Sequence, residues 1–174
     1  APPRHLHLYA RRQRQMCMRD RLAPPNTAQT RINALVELMK TETAGGERLI
    51  DNPIYKDRLM KIQGRVLAMK YNDMRVLSSR LNPGQDASLS RMITKLQGTE
   101  LRHELEGLAI DIMGEVGLSY DDNPHLRGAG SWQREYMYYL GLIIGGGTSQ
   151  IQKNIISERG LGMPREPKIE KKAV

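Results

Sequence analysis

Apolar residues recur along this chain at spacings of three to five, and no alternating stretch of useful length appears, so the pattern predicts helices and no sheet. Ile32, Leu35, Val36 and Met39 mark a first amphipathic helix over 30–43, with Asn26 or Thr27 as its cap and Ala44-Gly45-Gly46 as its end. Asp51-Asn52-Pro53 opens a long second helix over 53–81, because a proline in the first turn gives up no hydrogen bond. Its expected buried stripe is Leu59, Ile62, Val66, Met69 and Leu77, and Asn82-Pro83-Gly84 stops it. Asp86 or Ser88 starts a third helix over 86–116, with Leu89, Ile93, Leu96, Leu101, Leu105, Leu108, Ile112 and Val116 on one face. A polar loop follows, then helices over 131–145 and 149–160 separated by a glycine triplet. Long helices with short Pro/Gly connections make an all-α, antiparallel up-down four-helix bundle with extra short helices.

Composition adds bounds. With 174 residues the chain is one domain with tails, large enough to bury a core without disulfides or metal. A single cysteine, Cys17, excludes a disulfide framework and a cysteine-based zinc cluster. The longest apolar run, Leu140 to Ile144, is far short of a membrane span, and no signal peptide opens the sequence. A first residue of Ala rather than Met fits a trimmed chain or a fragment. The expected compartment is the cytoplasm, or the mitochondrial matrix in a eukaryotic source. Charge divides the chain. Residues 1–31 hold seven arginines against Asp20 alone, which places most of the net +8 there. The expected organisation is a basic arm over 1–26, a bundle over 27–165 and a charged tail over 166–174. The arm has two readings, a contact with nucleic acid or another anionic surface, and a solvated terminus. Nucleic acid is the weaker, because no aromatic residue sits among Arg11–Arg21 for bases to stack on.

Metal chemistry is weakly drawn: His5-Leu6-His7 could bind a metal but lacks a partner carboxylate at set spacing, and His5, His7, His103 and His125 do not cluster by spacing. Cys17 lacks a histidine partner for nucleophilic work. The stretch that invites chemistry is Gly145-Gly146-Gly147-Thr148-Ser149-Gln150-Ile151-Gln152, where a glycine turn delivers the chain into a helix. Ser149 and Gln152 have capping-box spacing. Glycines let backbone N–H groups approach a phosphate or dinucleotide closely. An unliganded helix–helix turn looks the same locally. It is neither a Walker A loop nor a Rossmann fingerprint, since no Gly-Lys-Ser/Thr ends it and no strand precedes it.

Twenty residues from Gly146 to Arg165, Gly-Gly-Thr-Ser-Gln-Ile-Gln-Lys-Asn-Ile-Ile-Ser-Glu-Arg-Gly-Leu-Gly-Met-Pro-Arg, resemble the C-terminal signature of acyl-CoA dehydrogenases. The resemblance extends upstream through Asp51-Asn52-Pro53, Arg58-Leu59, Gly98-Thr99-Glu100-Leu101, Asp111-Ile112-Met113-Gly114 and Trp132, and covers about residues 27–165. It implies the C-terminal helical domain of a larger FAD-dependent enzyme, an oxidoreductase. That enzyme oxidises the Cα–Cβ bond of an acyl-CoA: a carboxylate removes the α-proton as hydride leaves Cβ for N5 of FAD. It implies a homo-oligomer, dimer or tetramer, with the flavin shared across a subunit boundary. The cofactor-binding positions carried over are Gly114, Gly147, Thr148 and Gln150. Asp111 and Glu115 depart from the residues many members carry beside the first of these. Tyr136–Tyr139 and the Ile143-Ile144 edge are the expected packing surfaces of the bundle or its subunit contact.

The catalytic base departs from the common pattern. Many members place a glutamate where this chain has Gly146, and glycine takes no proton. Some branches carry the carboxylate on an earlier helix, in a Glu-Arg pair, and Asp20-Arg21 stands at about that place. Asp20 is thus the candidate base, one methylene shorter than Glu and flanked by Arg19 and Arg21. This fragment alone is expected to be inactive and to hold FAD weakly or not at all. The alternative is a non-catalytic assembly module that keeps only the family's subunit contact.

Overall fold

The computed structural model describes residues 25–82, 84, 86–120 and 123–165. Helix α1 spans Pro25–Thr41. It begins five residues earlier than its apolar spacing predicts and includes Asn26 and Thr27, the expected caps. The reason is Pro25, whose fixed φ suits a first helical position as well as it suits a break. α1 also ends before Thr43, because Gly45 and Gly46, at φ 60° and 88°, close a two-residue hairpin. Its strands, β1 (Thr43–Ala44) and β2 (Glu47–Arg48), pair antiparallel and are too short to leave an alternating signal.

Helix α2 covers Pro53–Leu81 and is capped by Asn52, whose side chain accepts from the N–H groups of Ile54 and Tyr55. Helix α3 covers Ser88–Met113. Asp86 and Ser88 share its start: the Asp86 carboxylate accepts from the Ser88 N–H and from the Ser88 hydroxyl, both at 2.8 Å. α3 stops short of the predicted 116, at Gly114 with φ 55°, and the chain continues as a 3₁₀ turn over Gly114–Leu118. Helix α4 is Ser131–Ile144 and α5 is Ser149–Ile155, which widens into one π turn over Ile156–Gly160.

Paired residues give the directions. Arg58 meets Asp111, Arg65 meets Glu104, and Asn72 meets Ser90 and Thr94, so α2 and α3 run antiparallel over their lengths. Lys95 reaches the Ile143 carbonyl and His103 the Tyr136 carbonyl, so α4 runs antiparallel to α3. α3 is the central element, touched by α1, α2, α4 and α5. None of the described helices is long and apolar enough to cross a membrane.

The core gathers Ile32, Leu35 and Met39 from α1, Leu59, Ile62 and Val66 from α2, and Leu101, Leu105, Leu108 and Ile112 from α3. Leu77, expected in the α2 stripe, is exposed instead. The buried row runs 59, 62, 66, 69, and its next positions are 73 and 76, so residue 77 is turned a further 100° away. Tyr136 and Tyr139 pack within the chain: Tyr136 stacks on His103 with centroids 4.2 Å apart, and Tyr139 is buried under the Arg102 guanidinium.

One charge lies at the centre. Glu106 is fully buried, and its carboxylate accepts from Arg31 through Nε at 2.9 Å and Nη2 at 2.7 Å, and from Arg102 at 3.2 Å. Burial pushes its carboxyl above the ordinary value, and the two guanidiniums oppose that. The Arg31 guanidinium also lies 3.5 Å over the Trp132 ring and reaches the Ser131 hydroxyl, so a single side chain joins α1, α3 and α4. Removing either member of such a pair leaves a buried charge uncompensated, so it fixes how these three helices meet.

Candidate functional site

The turn between α4 and α5 is built from glycines because its backbone demands them. Gly146 and Gly147 have φ of 72° and 106°, where side chains with a Cβ are strained. A Cβ on Gly147 would also come within 2.9 Å of the Gln152 amide nitrogen. Thr148, not Ser149, is the N-cap of α5, its hydroxyl oxygen accepting from the Ile151 N–H. The predicted Ser149/Gln152 capping box is replaced by two other bonds. The Gln152 amide donates back to the Gly146 carbonyl at 2.9 Å, and the Ser149 hydroxyl donates to Glu100 at 2.7 Å.

Two α3 side chains hold this turn. The Lys95 ammonium donates to the Gly147 carbonyl at 2.6 Å and to the Ile143 carbonyl at 3.1 Å, one on each side of the glycines. Glu100, five residues on, takes the Ser149 hydroxyl. Burial pushes the Lys95 ammonium below its ordinary value, and the Glu100 charge opposes this. Glu100 falls within the Gly98-Thr99-Glu100-Leu101 resemblance, but a Lys and a Glu five apart on a helix give no sign in sequence of holding this turn. Their roles appear only once α3 and α4 are placed antiparallel.

The turn therefore presents a fixed edge with little side chain on it. Thr148 and Gln150 are exposed there. The Thr148 oxygen already accepts from Ile151, which leaves its O–H hydrogen to donate outward. Such neutral donors beside bare glycine backbone can meet a polar ligand. Gly114 lies elsewhere. It follows the last residue of α3, nineteen positions beyond Lys95, or about 28 Å by helical rise. The four positions expected to meet a cofactor thus fall at two places in one chain: Gly147, Thr148 and Gln150 at one, Gly114 at the other. Asp20, Cys17, His5, His7 and the arm's arginines up to Arg21 lie outside the described residues. Among the described residues, no group of three or more His, Cys, Asp or Glu side chains is arranged to hold a metal.

Residues 22–161 match the family model described as "Acyl-CoA dehydrogenase, C-terminal domain". The chain belongs to the acyl-CoA dehydrogenase family. It is 34% identical over 134 residues to the acyl-CoA dehydrogenase IpdE1 of Mycolicibacterium smegmatis, a match covering 77% of this chain and 30% of that relative. A similar relative is the acyl-CoA dehydrogenase FadE26 of Mycobacterium tuberculosis, 31% identical over 128 residues, or 72% of this chain and 32% of the relative. The chain thus spans about a third of the length of the acyl-CoA dehydrogenases it matches. Among solved structures, the ChsE4-ChsE5 complex from Mycobacterium tuberculosis superposes with a TM-score of 0.69 at 26% identity, over 82% of this chain and 37% of that one. The mostly helical fold is that of the family's C-terminal domain.

Proposed function

We propose that this chain is the C-terminal domain of an FAD-dependent acyl-CoA dehydrogenase, contributing a subunit contact and one wall of the flavin site. The observation that carries the reading is the α4–α5 turn, where the family's signature residues sit on a backbone pinned by Lys95 and Glu100. In this reading Thr148 and Gln150 contact the cofactor, and Gly147 lets it approach the backbone. Gly114 serves a second cofactor position from the far end of α3. When bound, FAD supplies the acceptor for the hydride that leaves Cβ of an acyl-CoA. The residues described here bind and orient rather than move protons.

The base is proposed to be Asp20, because Gly146 stands at the common glutamate position. The active assembly is proposed to be a homo-oligomer, with the exposed Ile144 at the end of α4 a candidate contact. The compartment is proposed to be the cytoplasm, and the mycobacterial relatives give the mitochondrial alternative no support.

A second reading keeps the assembly role and drops catalysis. It is favoured by Gly146 itself, whose φ of 72° belongs to a position shaped for glycine rather than for a base. The similar ChsE4-ChsE5 structure is a two-protein complex, which is consistent with a partner chain supplying the chemistry.

The test is flavin retention by the full-length protein. Thr148→Ala with Gln150→Ala should release the cofactor on dialysis at least ten-fold more readily than the unaltered protein, with helical content unchanged. Equal retention would remove this turn from the flavin site.

A further inference from the structure

The peptide plane between Gly146 and Gly147 is weakly restrained by its own residues. Both take positive φ, 72° and 106°, and neither has a Cβ to oppose rotation of the plane between them. Such a plane turns over at little steric cost, and turning over exchanges the directions of its C=O and N–H. One side chain bonds it. The Gln152 amide donates six residues back to the Gly146 carbonyl at 2.9 Å, in place of the capping-box bond its spacing suggests.

That bond decides which face the plane presents. In a trans peptide the C=O and N–H point opposite ways. With the Gly146 carbonyl held on the Gln152 amide, the Gly147 N–H points away from it. Gln152 also fills the space over Gly147, since a Cβ there would fall 2.9 Å from the amide nitrogen. Gly147 is therefore bare for the sake of this bond as well as of its φ. Lys95 treats the next plane in the same way. It holds the Gly147 carbonyl at 2.6 Å, so the Thr148 N–H points away from the ammonium. Among the described residues, neither N–H has a hydrogen-bond partner. Two carbonyls are thus tied back, and two neutral donors are left free beside the Thr148 hydroxyl.

We infer that Gln152 is a positioning residue for the cofactor: by fixing the Gly146–Gly147 plane, it keeps the Gly147 N–H, rather than the Gly146 carbonyl, facing an acceptor atom of the flavin. The inference rests on the flavin reading above and adds to it a residue that need not touch the cofactor. The chemistry sets the sign. A carbonyl oxygen, ring nitrogen or phosphate oxygen of the cofactor is attracted by an N–H and repelled by a carbonyl. A Gly-Gly plane left free populates both faces, so part of the binding free energy goes into selecting one of them. Glutamine holds the plane at any ordinary pH because its amide is an uncharged donor, whereas a glutamate at this position donates only when protonated.

The experiment uses the full-length protein and follows flavin release on dialysis. Gln152→Leu keeps the bulk and loses the donor, and release should quicken about ten-fold, the contribution of one hydrogen bond. Gln152→Glu gives the sharper readout. Its protonated carboxyl restores the bond to the Gly146 carbonyl and its carboxylate does not. Release should match the original near pH 4.5 and rise about ten-fold relative to it by about pH 7.5, with helical circular dichroism the same at both. A Gln152 that only fills space predicts no such profile. Release from Gln152→Glu that tracks the original at every pH overturns the proposal. So does a loss of helical signal parallel to the release, which assigns Gln152 to stability instead. The flavin reading is tested apart from this one. If Thr148→Ala with Gln150→Ala frees the cofactor and neither Gln152 variant does, the inference about Gln152 alone fails. If none of these variants frees it, the turn is no part of the flavin site and both fall.

Discussion

Lys95 is the residue on which the candidate site turns. Its ammonium bonds the carbonyls of Ile143 and Gly147, so it stitches the end of α4 to the far side of the glycine turn. Lys95→Met keeps the aliphatic stem and removes both bonds. Hydrogen bonds from a charged group contribute about 1.5–3 kcal/mol each when buried, less where water competes, so a loss of roughly 1–2 kcal/mol is expected in urea unfolding. Flavin retention in the full-length protein should fall with it. A variant as stable and as yellow as the original would show the turn to be self-supporting. The second residue-scale expectation concerns Asp20. Asp20→Asn in the full-length enzyme should lower turnover of an acyl-CoA with an artificial electron acceptor by on the order of 10²-fold or more. Activity within a few-fold of the original would move the base to another part of the protein or leave this subunit non-catalytic. Gly146→Glu separates those two outcomes: it should raise activity only if the turn faces the flavin, against a backbone strain of about 1–2 kcal/mol for a left-handed φ.

At the scale of elements, helix ends carry the testable chemistry. The Ser88 hydroxyl and N–H hold the Asp86 carboxyl below its usual value. A depressed carboxyl stabilises the fold at pH above its unfolded value, near 3.9, and that stabilisation fades as pH falls through the folded value. Asp86→Asn should therefore lower the melting temperature at pH 6, by a margin that shrinks as pH falls below about 3.9. A gap that persists in acid would assign the effect to shape rather than charge. These ends were also the hardest part of the sequence to place. The five helices were legible because rows such as 59, 62, 66 and 101, 105, 108, 112 repeat over several turns. Thr41 and Met113 were not, since the glycines that end those helices act through positive φ, which composition does not reveal. The hairpin at Thr43–Arg48 was missed because two-residue strands have no period. The turn at Gly145–Thr148 was legible as a motif, but its holders Lys95 and Glu100 act across 52 and 49 residues, a distance no local pattern spans.

For the molecule as a whole, the separation of the proposed cofactor positions sets an expectation. Gly114 stands about 28 Å along α3 from the Lys95 that pins the other place, so one copy cannot offer both to a single flavin's near surface. The isolated chain should therefore emerge colourless from extensive dialysis, and added FAD should bind weakly by fluorescence quenching. One flavin retained per chain would show that this domain holds the cofactor unaided.

The Arg31–Glu106–Trp132 junction has a consequence for the order in which the chain takes shape. Arg31 waits for a carboxylate 75 residues away and for a hydroxyl at Ser131, 100 residues away. At synthesis rates of about 5–20 residues per second, roughly 5–20 s pass between the appearance of α1 and that of Ser131. α1, the earliest made of the described helices, thus waits across 100 residues for Ser131. During that interval its apolar face, Ile32, Leu35 and Met39, has only neighbouring segments to lean on, and the ribosome-bound chain is most vulnerable to proteases and chaperones there.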